Sequence, residues 1–192
     1  MLTQNEILEI FKESEALLTG HFKLTSGKHS DQYVQCAQVL QYPQYTEQLC
    51  GHMAESFRDD GVDLVIGPAM GGVTLSYEMA RQLGTPSLFT ERVDNRMALR
   101  RNFHIPEGAR VLVTEDVTTT GGSVLEVVDL VRQAGGEVVG TAVLVDRAGG
   151  SLDLGVPKQI SALTLNVVAY DPQDCPMCRE GQPVVKPGSR KE

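Results

Sequence analysis

Val111-Leu112-Val113-Thr114-Glu115-Asp116-Val117-Thr118-Thr119-Thr120-Gly121-Gly122-Ser123 joins four features in one unbroken string: an apolar run of strand length, two carboxylates, a loop of hydroxyls and glycines, and a helix start. A short run that is apolar at every position belongs to a strand buried on both faces, as in a parallel sheet covered by helices. The loop that follows is rich in groups that bind anions, since backbone amides and hydroxyls at a helix start converge with the positive end of the helix dipole. Gly121 and Gly122 let the backbone approach a ligand without a side chain in the way.

The same unit recurs on either side. Apolar runs at Leu64–Ile66, Ser87–Phe89 and Val138–Val145 alternate with helical patterns at Gly72–Leu83 and Ser123–Ala134. Strands alternating with helices predict an α/β fold, with a central, mainly parallel sheet flanked by helices and ligands bound beyond the carboxyl ends of the strands. Thr3-x-x-Glu6 is a capping box, with Leu2 and Ile7 as its staple, and apolar spacing carries the first helix to Gly20. Pro43 opens a second helix that runs to Gly61. Between them His21–Val39 reads as strand and turn packed outside the main sheet. Ile160–Tyr170 adds a strand or two, and the chain turns polar and proline-rich from Asp171. One domain over residues 1–192 is expected, with an N-terminal hood over about 1–40 and a tail over about 171–192.

A net charge of −8 argues against nucleic acid or an anionic membrane as a partner, because both need a positive field. Any anionic substrate must therefore meet a local basic site. The absence of a long apolar stretch and the acidic helical pattern of Met1–Glu15 point to a cytoplasmic protein. Cys36, Cys50, Cys175 and Cys178 are too few and too unevenly spread for a disulfide framework and read as reduced thiols. Cys175-Pro176-Met177-Cys178 supplies half of a tetrahedral zinc site. No second C-x-x-C or histidine pair stands near it in the chain, so it reads as an uncoordinated turn, with Cys36, Cys50 or a partner chain as the remaining sources of ligands. The basic end, Lys186-Pro187-Gly188-Ser189-Arg190-Lys191, reads as solvated.

Glu115 and Asp116 end the strand where adjacent ribose hydroxyls or a magnesium ion would meet them, and the loop Thr118–Ser123 would hold a phosphate. One segment can thus grip a ribose 5-phosphate; the competing reading is an ordinary strand-to-helix turn with a solvated acidic pair. Neither Gly-Lys-Ser/Thr nor a G-x-G-x-x-G after a first strand occurs, which removes the nucleotide P-loop and the dinucleotide fold. The string resembles the phosphoribosyl-pyrophosphate signature of type I phosphoribosyltransferases, and its form Glu-Asp-x-x-Thr-Thr-Gly-Gly-Ser is most like the orotate-using branch.

That resemblance, which spans about Leu17–Arg147, implies roles for particular residues. Glu115 and Asp116 would hold ribose, Val117 and Thr118, Thr119, Thr120, Gly121, Gly122 and Ser123 the 5-phosphate, and Met70 and Gly71 in Gly67-Pro68-Ala69-Met70-Gly71-Gly72-Val73 the pyrophosphate. Ser26-Gly27-Lys28-His29-Ser30-x-x-Tyr33 resembles the segment over the base site, with Thr25 where many relatives carry lysine; Lys28 there is either a charge for the orotate carboxylate or a solvated loop lysine. Arg92, Arg96, Arg100 and Arg101 fill a stretch expected to be a flexible loop that closes over pyrophosphate; the alternative is a solvated charged loop balanced by Glu91 and Asp94. Arg92 matches the family's first loop arginine, and Arg96 stands where a lysine is usual. Arg147, after Asp146, would recognise orotate together with Thr119; a surface ion pair between Asp146 and Arg147 is the alternative. The resemblance also implies magnesium, phosphoribosyl pyrophosphate and orotate as ligands, no covalent nucleophile, and a homodimer in which Arg96 reaches across the interface. A purine phosphoribosyltransferase and a non-catalytic sensor of phosphoribosyl pyrophosphate remain the competing functions. The acidic balance speaks against the sensor, and the Ser26 segment and the Thr119-Thr120 pair speak against purines.

Overall fold

A computed structural model describes residues 1–187; residues 188–192, which hold most of the basic end, lie outside the described part. Helix α1 spans Gln4–Glu13 and begins as its capping box requires: the Glu6 amide donates to Thr3 Oγ1 at 3.3 Å and the Thr3 amide to Glu6 Oε2 at 2.7 Å. It does not continue to Gly20. Ser14 Oγ donates back to the Ile10 carbonyl at 2.7 Å, and Glu15 reverses the chain at φ 55°. Leu17 and Leu18, whose spacing continues the helical pattern, instead open strand β1, Leu17–Lys23, and pair with Val34 and Tyr33 of antiparallel β2, His29–Val34. This hairpin is a separate two-stranded sheet outside the main one.

A short helix α2, Cys36–Leu40, precedes α3, Pro43–Ala54, which passes into a 3-10 turn at Glu55–Phe57. The repeating unit then unfolds as β3 (Leu64–Pro68), α4 (Gly71–Leu83), β4 (Ser87–Val93), β5 (Arg96–Leu99), β6 (Arg110–Thr118), α5 (Gly122–Gln133), β7 (Glu137–Asp146) and β8 (Gln159–Thr164). A last helical turn, α6, covers Pro176–Arg179.

Among the described residues the main sheet has the order β5-β4-β3-β6-β7-β8, parallel throughout except where β5 turns back on β4. Alternate residues of each strand face opposite sides. Val65 and Leu112 pack under α1, α3 and α4 with Ile7, Phe11, Leu49, Met53 and Leu75. Leu64, Ile66, Val111 and Val113 pack under α5 with Val124, Val127, Val128 and Val131. Both faces are covered, which explains why these strands read as unbroken apolar runs.

From β3 the chain moves outward to β4, and from β6 it moves outward the other way to β7. The adjacent strands β3 and β6 therefore mark the point where the order reverses, and a crevice opens at their carboxyl ends. Both glycine-rich loops leave the sheet there.

The stretch after Ser87 differs from the flexible loop expected of it. Asp94 and Asn95 take φ of 47° and 63°, a left-handed pair that Asp and Asn tolerate, and they close a two-residue hairpin between β4 and β5. Arg92 and Arg96 thus stand on paired strands, with Arg100 and Arg101 just beyond. Ile160–Tyr170 yields one named strand, β8, followed by single bridges at Asn166 and Tyr170. No helix among the described residues is long and apolar enough to cross a membrane.

Candidate active site

The loop after β6 and the start of α5 enclose an open cavity of about 340 Å³ lined by Glu115, Val117, Thr118, Thr119, Thr120, Gly121, Gly122, Ser123, Val124 and Glu126. Glu115 and the run Val117–Ser123 of the motif therefore face one space, with Asp116 beside it. Gly121 caps α5 at φ 78°, a conformation that disfavours any residue with a Cβ, and a Cβ there would meet Leu154 at 2.7 Å. No side chain caps α5, so its first amides point into the cavity with the positive end of the helix dipole behind them. Thr118 Oγ1 is buried beside them without a hydrogen-bond partner among the described residues.

Glu115 and Asp116 form the floor. The Asp116 amide donates to Glu115 Oε1 at 3.1 Å, and the Val117 amide donates to Asp116 Oδ1 at 2.8 Å. Glu115 is buried, and burial first, then the Asp116 charge, pushes its carboxyl well above the ordinary value. The Cys36 thiol donates to the Asp116 carbonyl at 3.3 Å; burial, then Asp116 and Glu115, raise its pKa well above the ordinary value and keep it a thiol. The acidic pair is therefore part of the cleft wall rather than solvated surface.

The second glycine loop meets this floor. The Ala69–Met70 peptide is cis, Met70 precedes α4 and is almost wholly exposed, and a Cβ on Gly71 would overlap the Asp116 carboxylate. Gly71 therefore borders Asp116 at the carboxyl ends of β3 and β6, with Met70 next to it in the chain.

Arg147 follows β7. Its amide donates to the Thr118 carbonyl at 2.9 Å, tying it to the loop after β6, and its buried Nε has no partner among the described residues. The alternative of an Asp146–Arg147 ion pair does not hold. The Asp146 carboxylate instead accepts from the amides of Ala148 at 2.7 Å and Gly150 at 2.9 Å, which shapes the turn that aims Arg147.

The arginines divide. Arg92 forks onto Glu126 of the cavity wall, with Nη2 at 3.1 Å from Oε1, and also donates to the Asn95 carbonyl at 2.6 Å. Arg101 pairs with Glu91 at 3.0 Å and lies over the Phe89 ring. Arg96 is exposed at the head of edge strand β5. Lys28 sits at the hairpin tip, 3.4 Å from Asp171 of the tail.

One expectation needs correcting. A histidine pair does approach the Cys175–Cys178 turn: His21 of β1 and His29 of β2 converge on it, and one ligand atom from each of the four residues lies within 4.8 Å of all the others. The histidines stand far from the cysteines in the chain, so spacing gave no sign of them; the one available signal was a His on each side of a turn.

The model of the phosphoribosyl transferase domain matches residues 37–161, and the chain belongs to this family. Its relatives place it within the orotate branch. It is 57 % identical over 190 residues, 99 % of both chains, to the orotate phosphoribosyltransferase of Desulforamulus reducens. The orotate phosphoribosyltransferase of Caldicellulosiruptor bescii is 54 % identical over 191 residues, covering both chains fully. The crystal structure of the Aeropyrum pernix orotate phosphoribosyltransferase superposes with a TM-score of 0.71 at 28 % identity, over 83 % of this chain and 93 % of that one.

Proposed function

We infer that the chain is an orotate phosphoribosyltransferase, a pentosyltransferase that moves the phosphoribosyl group of phosphoribosyl pyrophosphate onto orotate, giving orotidine 5'-phosphate and pyrophosphate for pyrimidine synthesis. The observation that carries this reading is the joining of the amide-lined loop Thr118–Ser123, the Glu115–Asp116 floor and the Met70–Gly71 loop at one crevice. Each matches one part of the donor: terminal phosphate, ribose diol and pyrophosphate.

In the reaction the bond from the anomeric carbon to pyrophosphate breaks as a bond to the orotate ring nitrogen forms. Positive charge gathers on the sugar, so the protein's work is to position the partners and stabilise charge. Asp116 and Glu115 accept hydrogen bonds from the ribose hydroxyls and lie below the ring. Burial and the Asp116 charge hold the Glu115 carboxyl well above its ordinary value, so it can donate to the diol as well as accept from it. Thr118–Ser123 and the α5 dipole fix the 5-phosphate. Arg147, with its unpartnered Nε, and Thr119 face the base carboxylate.

Magnesium fits this donor set, because the floor presents hard carboxylate oxygens and no caging ring of ligands, as suits an ion shared with substrate oxygens and water. When bound it neutralises the leaving pyrophosphate; Glu115 and Asp116 are the side chains that would border it. Arg96 acts on pyrophosphate in the closed state, across the interface of a homodimer, which its exposure at the sheet edge supports. Arg92 keeps the hairpin against Glu126 and joins it. Lys28 leaves Asp171 to face orotate when the base is bound. The enzyme works in the cytoplasm, as one catalytic domain with its hood and tail.

A spectrophotometric assay with phosphoribosyl pyrophosphate and magnesium tests the reading, with orotate, adenine, hypoxanthine, xanthine and uracil supplied separately. Orotate alone should be consumed; turnover of a purine without orotate would contradict the inference.

A further inference from the structure

We propose that His21, His29, Cys175 and Cys178 form a structural zinc site that clasps the C-terminal tail to the β1–β2 hairpin. All four lie outside the residues 37–161 that match the family model, and the reaction uses none of them.

Three sulfur–nitrogen separations lie close to those of a tetrahedral zinc site, and all four ligand atoms lie within 4.8 Å of one another. Cys175 Sγ is 3.5 Å and Cys178 Sγ 3.6 Å from His21 Nε2, and Cys178 Sγ is 3.2 Å from His29 Nδ1. Zinc with bonds of about 2.3 Å to sulfur and 2.0 Å to nitrogen sets neighbouring S and N atoms about 3.5 Å apart. The two ring nitrogens, at 2.8 Å, are closer than zinc would hold them, and a shift of about half an ångström in either ring brings that pair to tetrahedral spacing.

The outer contacts favour a cation as well. His21 Nδ1 lies 2.9 Å from the Gln182 carbonyl, which only accepts, so Nδ1 carries the proton and the Nε2 lone pair points into the cluster. A ligating histidine is usually oriented by such a bond at its other nitrogen. Three of the four residues are buried and all four positions come from the chain, which marks a closed structural site with no place left for substrate. Two sulfurs and two imidazoles select zinc over magnesium or calcium.

The backbone shows what the site would hold. The Lys23 amide donates to Val185 and the Val185 amide to His21, each at 2.8 Å, while His29 and Tyr170 exchange a pair of bonds, both 2.8 Å. The tail thus pairs with each histidine-bearing strand, and α6 brings its cysteines between those two contacts. His21 and Cys175 are 154 positions apart, so no such site exists in the unfolded chain and zinc binding adds to folding stability.

The test uses the full chain, purified without chelator, with metal content read by mass spectrometry. About one zinc per chain is expected, retained in Cys36→Ser and Cys50→Ser and reduced at least about tenfold in Cys175→Ser and Cys178→Ser. Stripping zinc should lower the melting temperature by roughly 10 °C, reversed by zinc but not by excess magnesium. If the cysteine variants fail to fold, cobalt added to the stripped wild-type chain still decides, since tetrahedral sulfur ligation gives intense visible bands and thiolate charge transfer. Wild-type chain with negligible zinc and a weak octahedral cobalt spectrum, or zinc kept in full by folded Cys178→Ser, would overturn the proposal.

Discussion

The cradle after β6 and the cluster where the hairpin meets the tail are built by opposite means. In the cradle one unbroken segment supplies nearly every contact, and its groups are backbone amides, hydroxyls and carboxylates held by a strand on one side and a helix on the other. In the cluster four side chains arrive from both ends of the chain, and their convergence depends on the tail lying against the hairpin. A contiguous site is fixed once its local turn has formed. A dispersed one exists only in the finished fold, so it reports on folding, whereas the cradle reports on chemistry.

This contrast orders the consequences of change. The largest should follow Asp116→Asn, which keeps size and packing but removes the charge below the sugar. The rate constant kcat is expected to fall by about 10²–10³-fold, the scale of one lost electrostatic contact to a transition state, with the melting temperature nearly unchanged. Steady-state kinetics beside calorimetry would check it, and near-normal turnover would remove Asp116 from the ribose site. Gly121→Ala comes next, because it asks for a left-handed alanine and drives a methyl into Leu154. It should destabilise the chain by about 2 kcal/mol and raise KM for phosphoribosyl pyrophosphate, measured by denaturant melts and initial rates.

A smaller effect separates stability from activity at the floor itself. Burial first, and then Asp116, holds the Glu115 carboxyl above its ordinary 4.5, so the folded chain keeps a proton that the unfolded chain releases. Stability from this group therefore falls as pH rises above 4.5. Glu115→Gln should melt with the parent in acid and above it towards neutral pH, by on the order of 1 kcal/mol, while losing activity. A constant offset at all pH values would show that Glu115 is not held protonated.

How much of each region was legible follows from the same contrast. The β6 motif fell entirely on consecutive residues, so its strand, carboxylates, loop and helix start, and the matching loop at Met70 and Gly71, could be read in order. The sheet followed because both faces are covered and its strands are apolar throughout. What the sequence hid was longer in range or depended on one residue's conformation. Leu17 and Leu18 keep helical spacing, and only the Ser14 and Glu15 reversal sends them into β1. Asp94-Asn95 between alternating residues was a hairpin signal, masked by the arginines around it. A His on each side of a turn was the only signal at His21 and His29, and nothing in that local pattern records a partner 154 positions away.

The claim on which the account rests is that the turn leaving β6 binds the phosphate end of the sugar. A crystal structure with ribose 5-phosphate measures this directly. The phosphate oxygens are expected within hydrogen-bonding distance of the amides of Thr118–Ser123, with the ribose hydroxyls on Glu115 and Asp116; well-ordered ligand bound anywhere else, with that turn holding only solvent, would contradict it.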